Sequence, residues 1–384
     1  MQTITQASRE AGREQLSRFV SGAGSRYAKT RNFDFGPERR GNVSQLSPYV
    51  RHRLLLEREL IESTLEQHSV NSASKFVQEV FWRAYFKGWL EHRPSVWAGY
   101  CDGVAAELAK LEGDVAMRDR YDAATSGTTG IDCFDAWASE LIGTGYLHNH
   151  ARMWFASIWV FTLGLPWQLG ADFFLRHLID GDPASNTLSW RWVCGLHTKG
   201  KTYLARASNI ANYTDGRFNP QGQLAKSAPA LVEACEHPLR ALPEADELPS
   251  ECRAGVLITE EDCHVESVLD GLRPCSLLGA VATRRRSALP IGTLAAEFAR
   301  GAVKDALARA RPYFGVDGEF VEADSWGDLL AEWATSHQLD VIVTPYAPVG
   351  PVSEVLASAK AQLDRCGVRL LRIRREYDDC LLYT

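Results

Sequence analysis

The sequence predicts two architectures in series: an all-helical part, then an α/β part built on a parallel sheet. Three observations carry this. Through residues 1–220, apolar positions recur largely with helical spacing. From residue 254 onward, short apolar runs alternate with helical patterns. Between them, residues 221–250 are rich in Pro, Ala and Glu and read as a linker or surface segment. A chain of 384 residues has room for two domains, or three. The expected boundaries are 1–225, 226–252 and 253–384.

In order, a helical pattern runs over Ala7–Phe19 and is broken by Ser21-Gly22-Ala23-Gly24-Ser25. A charged loop from Tyr27 to Asn42 leads to Val43-Ser44-Gln45-Leu46-Ser47-Pro48-Tyr49. Hydroxyls and backbone amides in a turn before a helix suit an anion, although such turns also serve simply as N-caps. The periodicity predicts a helix over Lys75–Leu90 that places Glu79, Trp82, Arg83 and Phe86 on one face. The plainer alternative there is an i,i+4 salt-bridged surface face.

Residues 100–128 read as helical, and Gly143-Thr144-Gly145 is expected to precede a helix with Asn149, Arg152 and Met153 on one face. Ala171–Ile179 is amphipathic. Asp180-Gly181-Asp182-Pro183 then breaks and restarts the chain, with Asp182 as N-cap and Pro183 at the first helical position. Residues 198–220 read as irregular. In the second part, strands are expected at 255–259, 278–282, 340–344 and 367–373, with helices near 293–311, 325–337 and 352–365. No glycine-rich dinucleotide fingerprint or phosphate loop follows any of these strands.

Composition narrows the class. The net charge of -6 is uneven: residues 1–240 carry 27 Lys+Arg against 25 Asp+Glu, and residues 241–384 carry 15 against 23. Only the first part is suited to face a phosphate backbone. The nine cysteines are scattered and form neither CxxC nor another spaced metal set, so no metal is expected and buried thiols in a reducing compartment are. No apolar run reaches the roughly 18 residues of a membrane span, and the N-terminus has no apolar signal core. A cytoplasmic protein is the expectation.

Six motifs stand in a telling order: Tyr27 with Thr30-Arg31-Asn32; Ser44-Gln45-Leu46-Ser47-Pro48-Tyr49; Glu79-Val80-Phe81-Trp82-Arg83; His148-Asn149-His150-Ala151-Arg152-Met153; Asp180-Gly181-Asp182; and Asn186 with Trp190-Arg191-Trp192. With them, residues 27–220 resemble the helical FAD-binding domain of photolyases and cryptochromes. Residues 254–384 resemble the family's Rossmann-like or flavodoxin-like α/β domain. That domain comes first in ordinary members, so the order here looks circularly permuted.

The resemblance implies FAD as cofactor. It implies that Ser44, Gln45, Leu46 and Ser47 hold the pyrophosphate, with Tyr27, Arg83 and Arg152 nearby. Asp180 and Asp182 would receive groups of the adenosine and flavin, and Asn186 would face flavin N5. Trp190 and Trp167 match the two inner members of the family's electron relay. The outer Trp is missing, and Tyr121, Trp154 or Trp159 are open alternatives.

Glu79, Trp82, Asn149, Met153 and Trp192 match the pocket for a flipped cyclobutane pyrimidine dimer, with damaged DNA as partner. Met153 replaces a histidine expected of (6-4)-lesion enzymes. Thr259-Glu260-Glu261-Asp262-Cys263 replaces the usual Arg-Arg-Asp-Leu-Arg stretch, which leaves an antenna chromophore unassigned. The implied function is a light-driven DNA photolyase. The alternatives are a cryptochrome-like light receptor and a photolyase-like flavoenzyme recruited to a non-DNA substrate.

Overall fold

The computed structural model describes residues 6–248, 252–376 and 378. Cys380 and the end of the α/β resemblance lie outside the described residues. Twelve α-helices come first among the described residues. They begin with α1 (Arg9–Val20), α2 (Ser25–Thr30), α3 (Ser47–Arg51) and α4 (Glu57–Gln67). The long α5 (Val70–Glu91) starts at Ser69, whose hydroxyl accepts from the Ser72 amide. Next are α6 (Pro94–Gly113) and α7 (Val115–Ser126). The stretch expected as one helical region breaks at Asp114, whose carboxylate caps α7 by accepting from the Met117 amide.

Helix α8 (Asp132–Thr144) includes Gly143 and Thr144, which were expected to lie before a helix. It ends instead at Gly145, whose φ of 64° is the left-handed C-cap conformation. Then come α9 (Asn149–Ser157), a π-helical turn at Ile158–Thr162, α10 (Trp167–His177) and α11 (Pro183–Val193). The expected cap is present on α11: Asp182 accepts from the Ser185 amide and Pro183 opens the helix. The stretch expected as irregular holds a short helix, α12 (Ala207–Tyr213), which buries only Ile210 and so shows little amphipathic pattern.

The second part contains β1 (Ala254–Ile258), β2 (Ser276–Ala280), α13 (Thr293–Phe314), β3 (Gly318–Val321), α14 (Trp326–His337), β4 (Val341–Pro345), α15 (Pro351–Arg365) and β5 (Arg369–Ile373). All four expected strands form, within two residues of their expected positions. β3 is the strand the sequence reading missed: it has four residues, none fully buried, and is an edge strand. The sheet order is β3-β2-β1-β4-β5 and every pairing is parallel. Alternation along the strands serves both faces. Val256 and Ile258 pack toward α13, whereas Leu257 and Ile342 pack toward α14 and α15. The core on the α13 side also takes Ala11, Phe19, Leu55 and Leu60 from the helical part, so the two parts share apolar packing.

Candidate functional site

The Asp180-Gly181-Asp182 turn lies between α10 and α11, and its two carboxylates face different partners. Arg152, on α9, donates through Nη2 to Asp180 Oδ1 at 3.1 Å and Oδ2 at 2.9 Å. The same guanidinium donates through Nε to the Leu147 carbonyl, which fixes its plane. Asp182 is almost wholly buried. One oxygen caps α11, and the other faces Arg83 Nη1 at 3.2 Å, Lys87 Nζ at 3.4 Å and Arg51 Nε at 3.8 Å. Burial alone would raise the Asp182 pKa, but Lys87, Arg83 and Arg51 together hold it far below the carboxylate range.

The plainer alternative, an i,i+4 pairing of Glu79 with Arg83, gives way to partners distant in sequence. Glu79 accepts from the Tyr27 hydroxyl and from Arg31. Burial, and then the Glu79 carboxylate, push the Tyr27 phenol well above its ordinary range. Arg83 donates to Glu57 and to the Arg51 carbonyl as well as to Asp182. Asn186 is buried on α11 and donates through Nδ2 to the Ala171 carbonyl of α10 at 2.8 Å.

The Ser44–Ser47 turn precedes α3, which at five residues is too short to build much of a helix dipole. What it offers an anion is therefore hydroxyls and amides. The Ser44 hydroxyl accepts from the Leu46 amide, Ser47 is exposed, and Gln45 has a φ of 53°. The Leu46 side chain belongs to the core, leaving its backbone for contact with a ligand.

Two large indoles stand in solvent. Trp82 on α5 is 53% exposed and Trp192 on α11 is 37% exposed, although the two helices pack together. Tyr85 and Phe86 flank Trp82 at ring-centroid distances of 5.4 and 5.9 Å, and Tyr203 lies 5.8 Å from Trp192. Asn149, exposed, and Met153, half-buried, lie on α9.

Inside, Trp190 is edge-on to Trp159 at 6.2 Å, and Trp159 is edge-on to Tyr121 at 6.1 Å. A Cβ on Gly170 would meet the Trp190 ring at 2.3 Å, so only glycine allows this approach. Trp190 Nε1 is buried without a hydrogen-bond partner. Trp167 contacts Tyr100 at 5.9 Å, and Tyr100 contacts Trp97 at 5.2 Å.

The donor set fits a flavin dinucleotide. It offers a hydroxyl-bearing turn, an arginine-held carboxylate, a buried amide and an unpartnered indole N–H along the Asp180–Trp190 segment.

Comparison with known proteins matches that chemistry. The FAD binding domain of DNA photolyase matches residues 76–247. A deoxyribodipyrimidine photo-lyase from Streptomyces griseus is 31% identical over 234 residues, covering 60% of this chain and 48% of the relative. A cryptochrome DASH from Ostreococcus tauri is 30% identical over 233 residues, covering 59% and 40%. A solved bacterial class III photolyase from Agrobacterium tumefaciens is 26% identical and covers 54% of this chain and 43% of its own, with a TM-score of 0.44. The chain spans about half, or less, of the length of these relatives.

The fold and the matched domain define an FAD-binding flavoprotein with a helical cofactor domain and an α/β domain. Over residues 76–247 the chain is similar to the FAD binding domain of DNA photolyases, and its relatives there carry photo-lyase and cryptochrome names.

The structure thus joins Arg152 to Asp180 and Arg83 to Asp182, and it pairs Tyr27 with Glu79. It also reveals a buried charge cluster that the sequence reading did not assemble. Arg51 meets Glu261, Arg53 meets Asp262 and Asp378, and Arg375 meets Asp262. The signal present was three consecutive acids after an apolar strand, Glu260-Glu261-Asp262. Two of the arginine partners, Arg51 and Arg53, lie in α3 and just after it, more than 200 positions away, and the third, Arg375, lies 113 positions on.

Proposed function

We propose that the protein is a light-driven DNA photolyase that splits cyclobutane pyrimidine dimers. The observation that carries this is the pair of exposed indoles, Trp82 and Trp192, on adjoining helices, with the half-exposed Glu79 one turn before Trp82 on α5. Large exposed aromatics offer faces on which extruded bases stack, and a damaged pair costs less to extrude than a normal one. FAD, when bound and reduced, supplies the excited-state electron for ring opening.

The chain's own residues bind and orient. Ser44, Gln45, Ser47 and the Leu46 backbone would take the pyrophosphate. Asp180, held by Arg152, would accept from a ring N–H or a hydroxyl of the cofactor. Asn186 would present its amide to the flavin edge, and Asp182 would hold the turn against Arg83 and Lys87. Tyr27 and Arg31 keep Glu79 in place. From there it would hydrogen-bond the lesion, with Asn149 and Met153 completing the pocket. Trp190 would pass electrons inward when the flavin must be reduced, with Trp167 as the other inner relay residue.

The helical part standing before the α/β part reads as a circular permutation of the family's order. Exchange of two such parts is tolerated where the joining segment lies at the surface, as the exposed residues 221–248 do.

The test is repair of a cyclobutane-thymine-dimer oligonucleotide by flavin-loaded protein, in blue light and in darkness. Light-dependent restoration of thymines is expected, slowed in Glu79→Gln with flavin still bound. No repair by a photoreducible protein would reject this reading. It would favour a cryptochrome-like receptor, which the Trp190–Trp159–Tyr121 ring succession also suits.

A further inference from the structure

Residues 221–248 cross the surface without regular secondary structure before reaching the sheet. Within them, Glu233-Ala234-Cys235-Glu236-His237 places an oxygen, a sulfur and a nitrogen ligand at alternate positions. A bend at Ala234–Cys235 turns these side chains toward one another. Here the candidate ligand atoms of Glu233, Cys235 and His237 all lie within 4.8 Å of one another. Cys235 Sγ is 3.7 Å from His237 Nε2, and His237 Nε2 is 3.2 Å from Glu233 Oε2. A tetrahedral zinc with ordinary bond lengths places sulfur and nitrogen about 3.6 Å apart, and nitrogen and oxygen about 3.3 Å apart. The two measured edges therefore match a zinc coordination shell.

A second observation points the same way. The other imidazole nitrogen, Nδ1, lies 3.0 Å from the Ser95 hydroxyl at the start of α6. That bond sets the ring so that Nε2 faces Cys235 and Glu233, the outer-shell arrangement that metal-bound histidines use. Glu233 is held in turn by Arg191, which donates to its two oxygens at 2.7 and 2.6 Å. A carboxylate has about four lone-pair sites, so these bonds leave capacity for a metal. The Cys235 thiol is exposed, which gives an entering ion direct access.

We propose that Glu233, Cys235 and His237 form a zinc site that clips the interdomain segment to the helical part. Cys235 binds as thiolate, so one proton leaves as the metal enters. With three protein ligands, the fourth position is open to water. The site ties the segment to α6 through Ser95 and to α11 through Arg191, which sits between Trp190 and Trp192. It stands independently of any repair activity.

The test is Co²⁺ titration of the full-length flavoprotein, read by its tetrahedral d–d bands in the red and confirmed by Zn²⁺ displacement. One Co²⁺ per chain with a thiolate-to-metal band is expected. Cys235→Ala should abolish that band. His237→Gln and Ser95→Ala should each weaken binding, the latter by about 10–100-fold, while circular dichroism and flavin content hold. Absence of a thiolate band in the wild type, or its persistence in Cys235→Ala, would overturn the proposal.

Discussion

Arg51 and Glu261, 210 positions apart, form a bidentate pair with bonds of 2.8 and 2.6 Å, and both side chains are at most 5% exposed. One end is on α3 and the other follows β1, so the pair joins the helical part to the carboxyl edge of the sheet. Lys87, Asp182, Glu260 and Arg286 lie around it, and a narrow cleft opens beside Lys87 toward Glu91 and Tyr346.

Removing one member of this pair should cost far more than removing both. Glu261→Leu leaves the buried Arg51 guanidinium with only the more distant Asp182, and Arg51→Met leaves the Glu261 carboxylate with only Lys87, so each should lose about 3–5 kcal/mol of stability. The double variant Arg51→Met/Glu261→Leu should recover much of that loss. Urea unfolding of the four proteins closes the cycle, and additive losses would deny the coupling.

Acid should destabilise the protein well before its carboxylates are ordinarily protonated. His52 is fully buried and faces the Glu260 carbonyl through Nδ1 at 2.8 Å. Burial, then Arg51 and Arg286, lower its pKa from 6.5 to about 3. Between those values the unfolded chain takes a proton that the native chain refuses. Stability is therefore full above pH 6.5 and falls as pH drops toward 3. Glu261 acts in the same direction at lower pH. Burial raises its pKa, but Arg51 and Lys87 override this and hold it at about 2, so its contribution fades below about 4.5. His52→Phe should flatten the slope of unfolding free energy against pH between 6.5 and 4. An unchanged slope would remove His52 from the account.

Trp82→Ala and Trp192→Ala should each weaken binding of a dimer-containing oligonucleotide by about 1–3 kcal/mol, the range for one base–aromatic stack. Both side chains are exposed, so folding and flavin content should be preserved. Titrations at one stated salt concentration separate this from phosphate attraction, which the substitutions leave alone. Equal affinity of variant and wild type would place the lesion elsewhere.

Trp159→Phe should slow photoreduction of the bound flavin several-fold, because Trp159 is the indole in ring contact with Trp190. Tyr121→Phe should have a smaller effect, since Tyr121 lies one step further out. Transient absorption of the flavin, with a reductant in solution, reads both. Normal rates in both variants would route electrons through Trp167, Tyr100 and Trp97 instead.

Much of the architecture was legible because its signals are local. The Asp182–Pro183 helix start, the α5 periodicity, the three buried strands and the apolar run of β5 each follow from residues within a few positions of one another. β3 escaped because a four-residue edge strand carries no continuous apolar run, and α12 because seven residues burying one side chain make no stripe. At the site, the motifs named Glu79, Arg83, Asp180 and Asp182, but not whom each would meet.

The sequence alone determined the order of helical and parallel-sheet parts, the capped turn at Asp182 and which side chains are candidates for the flavin. These depend on backbone propensity and on spacing of a few residues. Only the tertiary structure decided that Glu79 turns to Tyr27 and Arg31, that Arg83 turns to Asp182, and that Arg51 reaches Glu261. Charge attraction has no sequence register. Its partners are selected by which groups the packed helices and sheet bury together, where an unpaired charge is too costly to leave.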